Sequence, residues 1–255
     1  MPTPFTHLAT ASEILAQPEL AEETRQDLLA DLPAFLLGNT APDVQTLSGQ
    51  PREATHFFSV PLNGAPPAGP QMLARYPALA VRSALPPAQS AFLAGYLAHL
   101  IFDQLWIADI FEAFFGAEPT WASFRERLYL HNALRAHWDA ADLARLTPVV
   151  AVNLQAAQPS GWLPFVDDRH LHAWRDLIAD QLTSGAGRTV EVFAQRMRAD
   201  PAAFAALLAS PNEMQRRVFS HVRPRALDEY RARAVAASAQ TISAFWRGQP
   251  LPSPN

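Results

Sequence analysis

His99 and Asp103 lie one helical turn apart in SAFLAGYLAHLIFDQLW, the most apolar stretch of the chain, where an ionisable pair is costly unless something nearby satisfies it. At spacing i and i+4 the two side chains share a helix face with Cβ atoms ~6 Å apart, close enough to ligate one cation together. The same two residues also make an ordinary hydrogen bond, so the pair alone leaves a metal site and a satisfied structural pair both open. Three further candidate ligands lie upstream: His7, Asp43 and His56. With no cysteine in the chain, a transition-metal site must be built from imidazole and carboxylate, the chemistry of hydrolytic zinc and related divalent ions.

The elements that must position these residues read as helices. Alanine and leucine dominate, glycine numbers only 10, and β-branched residues never gather into alternating runs, so the chain is expected to be all-α, with its 23 prolines punctuating the helices. His7 falls at the start of a short helix through Leu15. Beyond Pro18 a second amphipathic stretch ends at Gly38. Residues 39 to 70 are rich in Asn, Pro, Gly and Thr and read as mostly irregular, carrying Asp43 and His56; taken singly, Asp43 reads as a helix or turn cap. Pro86 and Pro87 open a long buried central helix to about Phe115, and Trp121 begins another that holds His131. Further helices fill the chain from Thr147 to Trp246. Residues 1–247 form one helical domain whose metal site draws on residues 1–140, and residues 248–255 read as a disordered tail.

Net charge is −4 and the basic residues are scattered, which does not encourage binding to duplex nucleic acid. The N-terminus lacks a basic region followed by a continuous apolar one, so no signal peptide is read and a cytoplasmic location is expected. Residues 90 to 115 approach a membrane span in length, but they carry His99, Asp103, Asp109 and Glu112, which argues for the core helix of a soluble protein.

LGNTAPDV, then THF, then GYLAHLIFDQLW resemble the zinc-dependent phospholipase C family, whose all-helical fold is shared by bacterial phospholipases C and S1/P1 nucleases. The resemblance covers roughly residues 1 to 140. It implies that Asp43, His56, His99 and Asp103 hold one zinc, and that His7 and a bridging Asp103 hold a second. Two cations sharing a carboxylate activate a water and stabilise the charge that develops in phosphoryl displacement. Asp43 is also a candidate to orient or deprotonate that water, with a purely structural ligand role as its rival. The family's mature enzymes complete the second metal's shell with an N-terminal tryptophan, where this chain has Met1-Pro2-Thr3-Pro4.

A third family zinc falls on Asp109 and on His131, with Arg135 standing where the family has a carboxylate. Arg135 cannot ligate a metal; it is a candidate to clamp a substrate phosphate, with a salt bridge as the competing role. Arg52 either receives an anionic substrate or neutralises Asp43, and Thr55 is expected to hydrogen-bond a ligand carboxylate. His137, His170, His172 and His221 carry no ligand context, and Phe57, Phe58, Tyr96 and Trp106 read as core or pocket wall.

The expected function is a zinc-dependent phosphoric ester hydrolase binding one or two Zn2+, acting on a phospholipid or a small phosphoester. The alternatives are an S1/P1-like nuclease or nucleotidase and a non-catalytic metal-binding helical scaffold.

Overall fold

A computed structural model describes residues 1–116, 123–184 and 187–253, and these are all-α with no strand among them. Proline opens many of the helices at the first turn, where its missing N–H would have no intrahelical partner: Pro4–Leu15, Pro87–Leu105, Pro148–Ala156, Pro201–Ala209 and Pro224–Trp246 all begin this way. Asp200 accepts from the Ala202 N–H and Ser123 from the Glu126 N–H, capping two of the helix starts.

The central helix Pro87–Leu105 is apolar nearly all round and buried along almost its whole length. It continues through a wider π-helical turn, Trp106–Glu112, into Ala113–Phe115. Together these residues are long and apolar enough to cross a membrane, but 94% of the most apolar window is buried inside the protein itself. Where the helix widens, the Tyr230 hydroxyl of the last helix donates to the Phe102 carbonyl at 2.8 Å.

The principal neighbours of the central helix are the helices Leu32–Gly38 and Pro224–Trp246. The first of these contacts is a backbone-to-backbone approach. A Cβ on Gly95 would stand 2.2 Å from the Phe35 carbonyl oxygen, and one on Gly38 would stand 2.0 Å from the Phe92 carbonyl oxygen. Both positions therefore require glycine, and their closeness brings the Asn39 backbone beside the central helix one turn before His99.

Several local expectations change. The stretch to Gly38 is two helices, Glu22–Ala30 and Leu32–Gly38, because Pro33 starts a new first turn after Asp31. Residues 39 to 70 hold short helical turns, Ala41–Val44, Gln45–Ser48 and Glu53–His56, with the left-handed Gly49 and Phe57 ending the last two. The first helix is Pro4–Leu15, with His7 in its first turn as expected. The predicted helix start at Trp121 lies outside the described residues, and the described helix is Phe124–Leu143. In the predicted tail, Leu251 packs against the core beside Gly69, while residues 254–255 lie outside the described ones.

Candidate metal centre

The structure brings His7, Asp43, His56, His99 and Asp103 together from four elements. The central helix supplies His99 and Asp103, the first helix His7, the Ala41–Val44 turn Asp43 and the Glu53–His56 turn His56. Two overlapping groups have ligand atoms all within 4.8 Å of one another: His7, His99 and Asp103, and Asp43, His56 and His99. Asp103 Oδ1 lies 3.5 Å from His7 Nε2, while Oδ2 lies 3.2 Å from His56 Nε2 and 3.6 Å from His99 Nε2. His56 Nε2 is 3.6 Å from Asp43 Oδ1. A tetrahedral ion with ~2.0 Å bonds to nitrogen and oxygen spaces its ligands ~3.3 Å apart, so these separations match the edges of a coordination shell.

Neighbouring groups orient the imidazoles. His99 Nδ1 donates to the Asn39 carbonyl at 2.8 Å, which leaves Nε2 as its free nitrogen. The Thr55 hydroxyl donates to the Arg52 carbonyl at 3.2 Å, so its oxygen is free to accept from His56 Nδ1 at 3.0 Å; again Nε2 faces the cluster. Tyr96, on the central helix, fixes this turn by donating to the Thr55 carbonyl at 2.5 Å. Thr55 thus holds an imidazole rather than a carboxylate, and Arg52 pairs with Asp103 Oδ2 at 2.8 Å rather than with Asp43.

His7 depends on the helix Phe124–Leu143, a dependence the sequence does not display. Thr3 is hydrogen-bonded to Asp139 of that helix, and Arg135 donates to the Met1 carbonyl. These contacts fix the chain just before the first helix, and the His7 ring stacks on His99 with centroids 3.8 Å apart and planes 13° from parallel.

The decisive feature is what these atoms lack. Nε2 of His7, His56 and His99 and Oδ1 of Asp103 are buried without a hydrogen-bond partner. When uncharged, His56 and His99, whose Nδ1 donate to neighbouring oxygens, turn bare Nε2 lone pairs toward carboxylate oxygens, an arrangement that is repulsive unless a cation or proton lies between. Burial, then the positive charge of His99, holds the His7 imidazole down near 4, against the pull of Asp103, so it is neutral and ready to ligate. Burial opposes a charged His99, but Asp103, Asp43 and the Asn39 carbonyl together outweigh it and raise that imidazole. Burial also opposes ionising the two acids, yet His99, His56 and His7 hold Asp103 well below the ordinary range, and His56 and His99 hold Asp43 at about 2. Two carboxylates and three imidazoles form a donor set suited to a divalent ion.

The remaining predicted site residues do not join either group. Asp109 receives two hydrogen bonds from the Arg233 guanidinium, at 2.8 and 2.9 Å. His131 Nε2 accepts the Trp106 indole N–H at 2.9 Å amid the Phe111 and Phe115 rings, and burial holds its imidazole well below the ordinary value. Arg135 donates to Asn132 Oδ1 at 2.7 Å and to the Met1 carbonyl, and lies over the Phe193 ring, so these contacts hold it within the protein. Tyr96, Trp106, Phe57 and Phe58 are core residues, as their apolar surroundings in the sequence suggest.

A groove of about 680 Å³ runs beside the centre, lined by Glu53, Phe57, Phe58, Ser59, Gln71 and Arg75 among others. Phe58 forms the common wall: its ring meets His56 edge-on at 6.1 Å, and the Arg52 guanidinium lies 4.4 Å above it. Comparison of the chain with family models, curated protein sequences and solved structures returns no match.

Proposed function

We propose that the protein is a metal-dependent hydrolase of phosphoesters, using zinc held by Asp43, His56, His99 and Asp103, with His7 on the far side of Asp103. The single observation that carries this reading is the convergence of four buried, unpartnered donor atoms, His7 Nε2, His56 Nε2, His99 Nε2 and Asp103 Oδ1, on one another. Their order along the chain is the one by which the sequence resembles the zinc-dependent phospholipase C family, and their convergence supports that resemblance. A bound divalent ion supplies Lewis-acid polarisation of a phosphoryl oxygen and an activated water.

The protein's own groups set where substrate meets the centre. The three histidines and Asp103 are sealed from solvent, whereas Asp43 is 20% and Arg52 18% exposed. Substrate therefore approaches over the Asp43 and Arg52 side, where Asp43 is placed to orient a water. The neighbouring groove offers room for the organic part of an ester, with Arg75 and Gln71 on its wall. Purified protein loaded with zinc should turn over a member of a panel of phosphodiesters, phosphomonoesters, phospholipids and nucleotides, with loss of turnover in EDTA and recovery on adding zinc. Retained metal with no turnover across the panel overturns the hydrolase reading. The near-complete burial of four of the five ligands favours, in that event, a second reading: a structural ion that ties the first helix and the 41–56 segment to the central helix.

A further inference from the structure

We propose that Arg52 stands in for a second metal ion, so that the centre holds one divalent cation and one guanidinium instead of two ions. The inference rests on the reading that the cluster binds a divalent ion, and not on what the protein hydrolyses.

Three observations lead to it. First, the two ligand groups share His99, and His99 has one free nitrogen, because Nδ1 is committed to the Asn39 carbonyl. An imidazole lone pair serves one ion, so with His99 on the first ion a second would be held, among these five residues, by His7 and Asp103. Second, a second ion on the His7 side would make Asp103 serve three cations at once, with Oδ1 toward His7 and Oδ2, which faces His56 and His99, also accepting from Arg52 at 2.8 Å. Third, the charges decide the matter. Asp43 and Asp103 are the carboxylates of the two groups. Two divalent ions beside the guanidinium would set five formal positive charges against two negative ones in a largely buried region. One ion beside it sets three against two, and unbalanced charge in a low-dielectric site is strongly penalised.

Arg52 is also built to stay. Its guanidinium rests on the Phe58 ring at 4.4 Å, which stabilises a cation there, and its backbone carbonyl receives the Thr55 hydroxyl that orients His56. Lysine at this position would carry the same charge without the planar fork; a neutral residue would leave Asp103 free to bridge.

The test is metal stoichiometry. Protein stripped with chelator, exposed to excess Zn2+ and passed through gel filtration is assayed for retained zinc by mass spectrometry, for wild type, Arg52→Lys and Arg52→Gln. Circular dichroism and thermal melting confirm that each variant is folded. The expected values are one ion per chain for wild type and Arg52→Lys and two for Arg52→Gln. Reloading Arg52→Gln with Mn2+ should then give the spin-coupled paramagnetic resonance spectrum of a close ion pair, which wild type lacks. Two ions in wild type, or one in folded Arg52→Gln, overturns the role of Arg52 while leaving the metal centre standing. No retained ion in wild type sinks the centre itself. Because wild-type stoichiometry alone can refute the inference, a variant that fails to fold does not shield it.

Discussion

Two regions of the protein carry similar residues and use them in opposite ways. Around Asp103, three histidines and two aspartates point at one another, and Nε2 of each histidine and Oδ1 of Asp103 have no hydrogen-bond partner. Around Trp106, a histidine, an aspartate and an arginine of the same sequence neighbourhood each find protein partners: His131 the Trp106 indole, Asp109 the Arg233 guanidinium, Arg135 the Asn132 side chain and the Met1 carbonyl. Residue type nominates both regions. Unsatisfied lone pairs in a closed space separate them, because a buried polar group without a partner costs on the order of 1–3 kcal/mol and is kept only where something else supplies the bond.

The largest expected difference follows from His99, which belongs to both ligand groups. His99→Ala should reduce retained zinc to background and remove the rise in melting temperature that zinc gives wild type. An ion at 100 times its dissociation constant contributes about 2.7 kcal/mol, so the lost shift is readily measured. His131→Ala should lower stability by opening space among Trp106, Phe111 and Phe115, yet retain zinc as wild type does. Equal zinc loss in the two variants would abolish the distinction.

A second contrast is in pH. Asp139, on the helix that carries His131 and Arg135, is buried against Thr3, and burial raises its carboxyl from 3.8 to about 7. The folded protein therefore prefers the protonated acid. Its contribution to stability is fully present below about pH 4 and is lost as pH rises through 7. Wild type should lose a few kcal/mol between pH 5 and pH 8 from this group, an order-of-magnitude figure from 1.36 kcal/mol per pKa unit. Asp139→Asn should flatten that part of the profile, as read by denaturant unfolding in chelator. An unchanged slope in the variant would mean that Asp139 ionises freely in the folded state.

Gly95 tests the support beneath the centre. Gly95→Ala places a methyl group 2.2 Å from the Phe35 carbonyl, so the two helices must part. The expected cost is about 1–3 kcal/mol. Separation also draws the Asn39 carbonyl away from His99, so zinc affinity should fall alongside stability. A fall in melting temperature with unchanged zinc affinity would show that His99 keeps its orientation without Asn39. Thr55→Val is smaller in its structural reach. It removes the oxygen facing His56 Nδ1 and should weaken zinc binding about 10- to 100-fold with the fold intact.

The helical class was legible because apolar periodicity and proline placement are local properties, and the clustering of five His and Asp residues was legible through their order and the words around them. What the sequence hid is long-range. Nothing near Arg52 indicates that its partner is Asp103, 51 residues away, rather than the nearer Asp43; the pairing is made across the fold, beside the turn that Tyr96 pins. Thr3 and Arg135 likewise gain their roles only when the first helix packs on Phe124–Leu143. One signal was present: Gly95, isolated inside an apolar helical run, marks a close backbone approach one turn before His99.

The smallest effect is predicted for Asp109. Its pair with Arg233 lies at the surface, with side chains 23% and 41% exposed, where an ion pair contributes roughly 0–1 kcal/mol. Asp109→Asn should accordingly change the melting temperature little and leave zinc retention as in wild type. A ligand would behave otherwise: replacing a carboxylate with an amide removes the charge that holds the ion, and retained zinc would fall measurably. The variant thus separates the two regions at their weakest point, because Asp109 is six residues beyond Asp103 on the same continuous helical segment and is of the same residue type. What distinguishes the two acids is that the guanidinium meeting Asp109 occupies both carboxylate oxygens, whereas the one meeting Asp103 takes Oδ2 alone and leaves Oδ1 without a partner.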